Sequence, residues 1–362
     1  MITFGVFVGI VALVLFVLCA VIVMWWQFYG ASQGGGTIVP GSTEPVFSSD
    51  GSARTSAPSH IFSIIPKQQP IQSFPSVATA EVFSAQKNNT LSWGVYPGWN
   101  KQDIIDFEQN VGNPNIIVDF VHFGNENRFP NDMAPYAKDK GRTLAIFWEY
   151  TDYTNTSVSQ PKYSYDAILR GDWDLYMRSF AAETKAYGGP IILIPFSEMN
   201  GDWFPWSGTQ NGNTPEKAVL AYRHVRDIFK GIDNVKFGWS PNQESSPDTP
   251  ENAISRYYPG DTYVDYIGLD GFNFGGTQER SFDSLFGNAL TILSGYDKPI
   301  YLFSMATAEG PGKAAWITDA FTVQIPKYPK IVGWIWFNEN KERDWRVNSD
   351  PAALVAFRAI VP

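Results

Sequence analysis

Residues 173–230 read WDLYMRSFAAETKAYGGPIILIPFSEMNGDWFPWSGTQNGNTPEKAVLAYRHVRDIFK. Apolar residues recur at helical spacing through 173–187, and Gly188 with Gly189 supplies the residues that close a helix in a left-handed turn. An unbroken apolar run follows at 190–195. After a polar loop, Thr214 is placed to cap a second helix, predicted over 215–230, whose first position is Pro215. A strand without a polar face between two helices belongs in a parallel sheet covered on both sides.

Outward from this segment the same unit recurs. Strands are predicted at 91–96, 116–122, 143–150, 190–195, 235–240, 264–269, 299–305 and 331–337. Helical patterns follow each, including 103–111, 173–187, 215–230, 282–293, 313–321 and 352–360. Eight β/α units in roughly 275 residues predict an α/β fold of the (β/α)₈ TIM barrel class, which needs about 250. A doubly wound sheet is the rival topology, yet no Gly-x-Gly-x-x-Gly follows the first strand. There is no internal repeat, and residues 88–362 read as one domain.

Upstream, residues 2–24 carry no charge, against the ~20 apolar residues that cross a bilayer as a helix. Trp25, Trp26, Phe28 and Tyr29 follow as an interfacial aromatic belt. The competing reading, a cleaved signal peptide, would have a basic start and an apolar core of only ~7–15 residues. Residues 1–29 are therefore expected to be a single transmembrane anchor, with the membrane as a partner. No Lys or Arg precedes the run, so its orientation is not set by charge. Placement of the barrel outside the cytoplasm follows from function instead. Residues 30–87 are rich in Gly, Ser, Thr, Pro and Gln and read as a flexible linker.

Composition narrows the chemistry. With 36 acidic and 27 basic residues the net charge is -9, which argues against binding a phosphate backbone, and so against a nucleic-acid partner. Cys19 is the only cysteine and lies in the apolar run, so neither a disulfide framework nor a thiolate metal cluster is available. The three histidines, His60, His122 and His224, are scattered and form no His-Glu-x-x-His. No metal or other cofactor is implied, and nothing in the sequence calls for more than a monomer. Thirteen tryptophans are an excess. Packing accounts for most such residues, and a carbohydrate cleft accounts well for the rest, because an indole ring stacks on the C–H face of a pyranose.

In this barrel class the active site sits at the C-terminal ends of the strands. The fourth strand ends in Ile194-Pro195-Phe196-Ser197-Glu198-Met199-Asn200-Gly201-Asp202-Trp203-Phe204-Pro205-Trp206. A carboxyl group beside aromatic platforms suits glycoside hydrolysis, where an acid protonates the leaving oxygen and a surface holds the sugar. A strand-end Glu bonded to its own loop is the structural alternative. Trp203, Trp206, Trp239 and Trp336 are the stacking candidates, whereas Trp93, Trp173, Trp316 and Trp334 read as packing. Glu149, Asp270, Glu244 and Glu339 are further strand-end carboxylates placed to contact substrate or satisfy loops.

Residues 93–362 resemble glycoside hydrolase family 26, whose members include β-mannanases and β-glucanases on a (β/α)₈ barrel. The resemblance is carried by Trp93-Gly94-Val95-Tyr96, Glu198-Met199-Asn200-Gly201-Asp202-Trp203, Trp239-Ser240-Pro241-Asn242, and residues 258–265 leading into Gly268-Leu269-Asp270-Gly271. Lys313-Ala314-Ala315-Trp316, Trp336-Phe337-Asn338 and Asp344-Trp345-Arg346 complete it. It implies a retaining mechanism with two glutamates, Glu198 being the general acid/base. Anchored on Lys298-Pro299 and on Lys313-Ala314-Ala315-Trp316, the alignment puts Ser304 where the nucleophilic Glu belongs, and Glu309 matches a later, noncatalytic position. Ile194 and Ser197 likewise stand where the family has Arg and His, and Phe272 where it has a Tyr. Asn200, Trp203, Trp206, Trp239, Asp270, Phe272, Trp336 and Glu149 are expected to bind substrate. A serine without an adjacent base is a poor nucleophile. Two functions follow: a membrane-anchored glycosidase-like protein acting on a β-linked mannan or glucan, or a pseudoenzyme that holds such a polysaccharide at the cell surface.

Overall fold

A computed structural model of the chain describes residues 91–124 and 129–362. The expected anchor at 1–29, the linker at 30–87 and the domain start at 88 lie outside the described residues. Among the described residues no helix is long and apolar enough to cross a membrane.

Eight parallel strands close into one barrel in sequence order. They are β1 (Ser92–Tyr96), β2 (Ile116–His122), β3 (Thr143–Glu149), β4 (Ile191–Pro195), β5 (Val235–Trp239), β6 (Tyr266–Asn273), β7 (Ile300–Thr307) and β8 (Ile331–Phe337). β1 pairs with β8 from Ser92 opposite Gly333 to Tyr96 opposite Phe337, which closes the cylinder. The helices among the described residues are α1 (Lys101–Asn110), α2 (Met133–Asp139), α3 (Tyr165–Leu169), α4 (Asp174–Tyr187), α5 (Pro215–Ile228), α6 (Phe282–Ser294), α7 (Lys313–Asp319) and α8 (Pro351–Ile360). Local signals set their ends. Gly188 closes α4 at φ 67, and the Thr214 side chain accepts from the Lys217 N–H at the start of α5.

Two expectations need correction. β6 continues past residue 269 to Asn273, because Asp270 to Asn273 stay paired with β7. No α-helix follows β5 among the described residues; two short 3₁₀ turns, Pro250–Asn252 and Ile254–Tyr257, take its place, in a segment where Pro241, Pro247 and Pro250 each remove a backbone donor. α2 and α3, of seven and five residues, are too short to leave a periodic signal.

Strand parity divides the core into two layers. Tyr96, Ile116, Val118, Phe147, Ile192, Ile194, Tyr301, Phe303 and Ile335 fill the barrel interior. The opposite faces, including Trp93, Trp148, Trp239, Trp334 and Trp336, pack in the larger core beneath the helices.

Candidate active site

The C-terminal ends of the strands enclose a cleft of about 1170 Å³. Strand parity delivers much of its lining: the inward-facing Phe120 and Phe147 are followed two residues on by His122 and Glu149, and Gly268 by Asp270 and then Phe272. Glu198 and Ser304 line the same cleft.

Glu198 is held by strained backbone. Just beyond β4, Phe196 and Glu198 lie at φ 57 and φ 56, a region that costs a bulky residue about 1 kcal/mol or more. Neighbours fix the turn: the Glu198 N–H donates to the Ser240 carbonyl at 2.7 Å, and Trp206 Nε1 donates to the Ser197 carbonyl at 2.8 Å. Trp203 Nε1 then donates to Glu198 Oε2 at 2.7 Å. Burial raises the Glu198 carboxyl to about 7, against hydrogen bonds from Trp203 and Asn242 that pull it down. A carboxyl raised in this way keeps its proton to higher pH than a free glutamate does, which suits a general acid.

The opposite wall owes its shape to a β-bulge. Along β7, Leu302 pairs with Leu269 of β6 while Ser304 pairs with Asp270, and on the other side Leu302 and Met305 face Trp334 and Trp336. One extra residue therefore sits in β7 at Phe303–Ser304, so two successive side chains turn inward. Phe303 fills the barrel centre, in space left open by glycines: a Cβ on Gly238 would lie 2.7 Å from its ring, and one on Gly268 2.2 Å. Ser304, 7% exposed, is thereby turned into the cleft. Beside it on β6, the Asp270 side chain accepts from Ser240 Oγ at 2.8 Å. Burial first, and the nearby Glu198 second, hold the Asp270 carboxyl well above the usual carboxylate range. Ile194 lies inside the apolar barrel interior.

The other expected substrate contacts divide. Trp203, at 40% exposure, offers a ring to the cleft, and Phe272 and Glu149 line it. Glu149 Oε2 lies 2.8 Å from His122 Nδ1. Trp239 and Trp336 are wholly buried and lie outside the cleft lining, because they share a strand face with Phe237 and Trp334 and point under the helices. Trp206 is also wholly buried, stacked behind Phe204 at 4.2 Å, and supports the wall rather than presenting a face. Asn200 is fully buried too. Its Oδ1 accepts from the Asn242 N–H at 2.8 Å, and its Nδ2 donates to the Asn242 carbonyl at 3.0 Å. It therefore positions the loop that carries Asn242 against Glu198.

Several cleft residues escape a reading by motif. Trp99, Tyr153 and Phe274 expose 64%, 56% and 37% of their surface and all line the cleft. Their position just past the ends of β1, β3 and β6 is the signal that finds them. Arg280 and Glu244 pair at 2.7 Å on the rim, and Glu339 lines the wall after β8. Among the described residues no group of three His, Cys, Asp or Glu side chains is arranged to hold a metal ion.

The family model of glycosyl hydrolase family 26 matches residues 78–353. Endoglucanase H of Acetivibrio thermocellus is 35% identical over 289 residues, which is 76% of this chain but 31% of that protein. A mannan endo-1,4-beta-mannosidase of Bacillus subtilis is 25% identical over 181 residues, 48% of this chain and 45% of the relative. The chain thus spans less than half the length of either relative. The GH26 β-mannanase of Bacteroides ovatus shares the fold at a TM-score of 0.56 and 22% identity, over 77% of this chain and 89% of that one.

Proposed function

The chain belongs to glycosyl hydrolase family 26, and from that premise we propose that it acts on a β-linked polysaccharide of the mannan or glucan type. Glu198 is the general acid/base, and the observation that carries this role is its buried carboxyl, raised to about 7 and held by Trp203 Nε1 inside the cleft. The protonated carboxyl gives its proton to the glycosidic oxygen of a sugar stacked on Trp203. A retaining route then needs a second carboxylate ~5–5.5 Å away to form the glycosyl-enzyme ester. The resemblance assigns that role to the position of Ser304, and a serine supplies no carboxylate. An inverting route instead uses a carboxylate base at a wider spacing, ~6.5–9.5 Å. The nearby candidates have close neighbours: Glu149 Oε2 lies 2.8 Å from His122 Nδ1, and Asp270 accepts from Ser240 Oγ.

Those engagements, together with Ser304, favour a second reading, in which the cleft binds the polysaccharide without cutting it. Release of reducing ends from mannan, glucomannan, mixed-linkage glucan and xylan separates the two. Turnover by the wild type that disappears in Glu198→Gln supports hydrolysis. Silence in the wild type, with glycan retention that disappears in Trp203→Ala, supports binding alone. Retention of no glycan at all refutes both.

The apolar run at 2–24, followed by the linker composition of 30–87, supports a single-pass anchor with the barrel on the non-cytoplasmic side, where such polymers lie. Carbonate extraction of membranes and protease access in intact cells test it. The monomeric state is tested by light scattering of the purified protein.

A further inference from the structure

Behind the cleft wall, at the start of α7, lies a buried lysine that neither reading of the cleft uses. Lys313 is 1% exposed. Its Nζ donates to the Arg346 carbonyl at 2.8 Å and to the Asp344 carbonyl at 3.3 Å. Between them the Trp345 carbonyl accepts from Trp336 Nε1 at 3.0 Å. Three successive carbonyls of the β8–α8 loop are thus held by side chains of other elements. Two of them have a second donor, the Glu309 N–H on Asp344 and Ser349 Oγ on Arg346; Lys313 adds the charge-assisted bonds.

The segment held in this way is a tight hairpin. Asn340 bridges Asp344, and the Trp345 N–H donates to the Glu339 carbonyl at 2.9 Å. Asn338 closes its base: its N–H donates to the Tyr96 carbonyl at 2.8 Å, and its Oδ1 accepts from the Val347 N–H at 2.8 Å. Glu339, Lys341 and Trp345 line the cleft from this hairpin. Nearly one helical turn beyond Lys313, Trp316 Nε1 donates to the Arg280 carbonyl at 2.8 Å, in the loop after β6. Lys313-Ala314-Ala315-Trp316 therefore reaches a cleft-wall loop on either side of α7.

The charge is held there against a desolvation penalty. Burial outweighs the attraction of Asp344, Glu309 and Asp350, and with repulsion from Arg346 it pushes the Lys313 ammonium down to about 8. The Asp344 carboxylate is itself paired with the Arg346 guanidinium at 2.6 and 2.9 Å. A methionine would fill the same space without that penalty, so stability alone does not call for a lysine. We propose that Lys313 is a positioning residue, whose ammonium clamps the hairpin at 339–345 into the cleft wall while Trp316 braces the loop after β6. The clamp stands apart from what the cleft binds; its effect on glycan rests on the polysaccharide reading above.

Hydrogen–deuterium exchange of the full chain in mild detergent, read by mass spectrometry and corrected for intrinsic rate, tests the clamp in wild type, Lys313→Met and Trp316→Phe. Near pH 7, Lys313→Met speeds exchange at residues 339–347 by about tenfold or more, the size of a lost charge-assisted hydrogen bond. β4 is unchanged, and the melting temperature is no lower than in the wild type. Raising the pH to about 9.5, above the Lys313 value, loosens the same segment in the wild type but not in Lys313→Met, because the bonds lose their charge. Trp316→Phe speeds exchange at 275–280 and leaves 339–347 as it was. Unchanged exchange at 339–347 in Lys313→Met refutes the clamp. Faster exchange throughout the barrel with a lower melting temperature refutes it also, because Lys313 then supports the fold as a whole. Affinity for β-1,4-linked manno-oligosaccharides and mixed-linkage gluco-oligosaccharides falls in Lys313→Met with the loosened hairpin; unchanged affinity refutes the hairpin's part in the cleft. A wild type that binds neither glycan overturns the polysaccharide reading, and the exchange measurement then decides the clamp by itself.

Discussion

At the end of β4, two residues sit in strained backbone, a tryptophan donates to the Glu198 carboxyl, and Asn200 braces the neighbouring loop. At the end of β7 an equally specific backbone device, the bulge at Phe303–Ser304, turns only a hydroxymethyl group into the cleft. One strand end presents a carboxyl to the cleft; the other presents a hydroxyl. Backbone shape and side-chain chemistry are thus separable. Gly238, Gly268 and Phe303 hold the bulge through interior packing, so replacing the residue at 304 leaves the barrel intact.

The sharpest way to break this contrast is to place a carboxylate at residue 304. Ser304→Glu should raise reducing-end release on a β-glycan by on the order of 10³-fold or more, the scale set by removing a nucleophile from a working enzyme. No gain would mean that the losses at Ile194, Ser197 and Phe272 are themselves disabling. In that gain-of-function background, Trp203→Phe removes a hydrogen bond that favours the ionised form of Glu198, so the Glu198 carboxyl rises further above about 7. The alkaline limb of kcat/KM should move to higher pH, while kcat/KM at its optimum falls about tenfold with the lost contact.

A smaller effect concerns stability. The folded-state pKa of Glu198 is raised from 4.5 to about 7, so between those values the folded chain binds more protons than the unfolded one. Stability therefore declines as pH climbs through that window. Glu198→Gln should abolish that decline: it stabilises the chain above pH ~7, by at most about 3 kcal/mol at 1.36 kcal/mol per unit, and changes little below pH ~4.5. Chemical denaturation at acid and alkaline pH measures this. Least of all should change in Ser304→Ala, within about 1 kcal/mol in stability and with unaltered glycan affinity. Turnover that vanished in this variant would make Ser304 itself the nucleophile and overturn the contrast.

Most of the barrel was legible because fully buried parallel strands leave continuous apolar runs, and those at β2 and β8 match the structure residue for residue. The site was legible where chemistry shows in a motif, as at Glu198 and Trp203. Trp336 was misjudged although parity was enough to place it: Trp334 and Trp336 share a strand face, and if one packs under a helix so does the other. The same argument applies to Trp239 beside Phe237. Ser304 is the opposite case, since strict alternation would turn it away from the cleft and only the bulge, a tertiary feature, brings it in. Trp99 belongs to no motif, and only its place just past the end of β1 points to the cleft it lines.

The pairing of β1 with β8 has a consequence for the chain's biogenesis. Tyr96 is among the first residues of the barrel to leave the ribosome, but its stacking partner Phe337 and the tether at Asn338 are among the last. No nascent chain short of β8 has a closed cleft, however much of it has already collapsed, because the final contacts are the most distant in sequence. A growing polypeptide therefore has its cleft closed only when the eighth strand seals the cylinder.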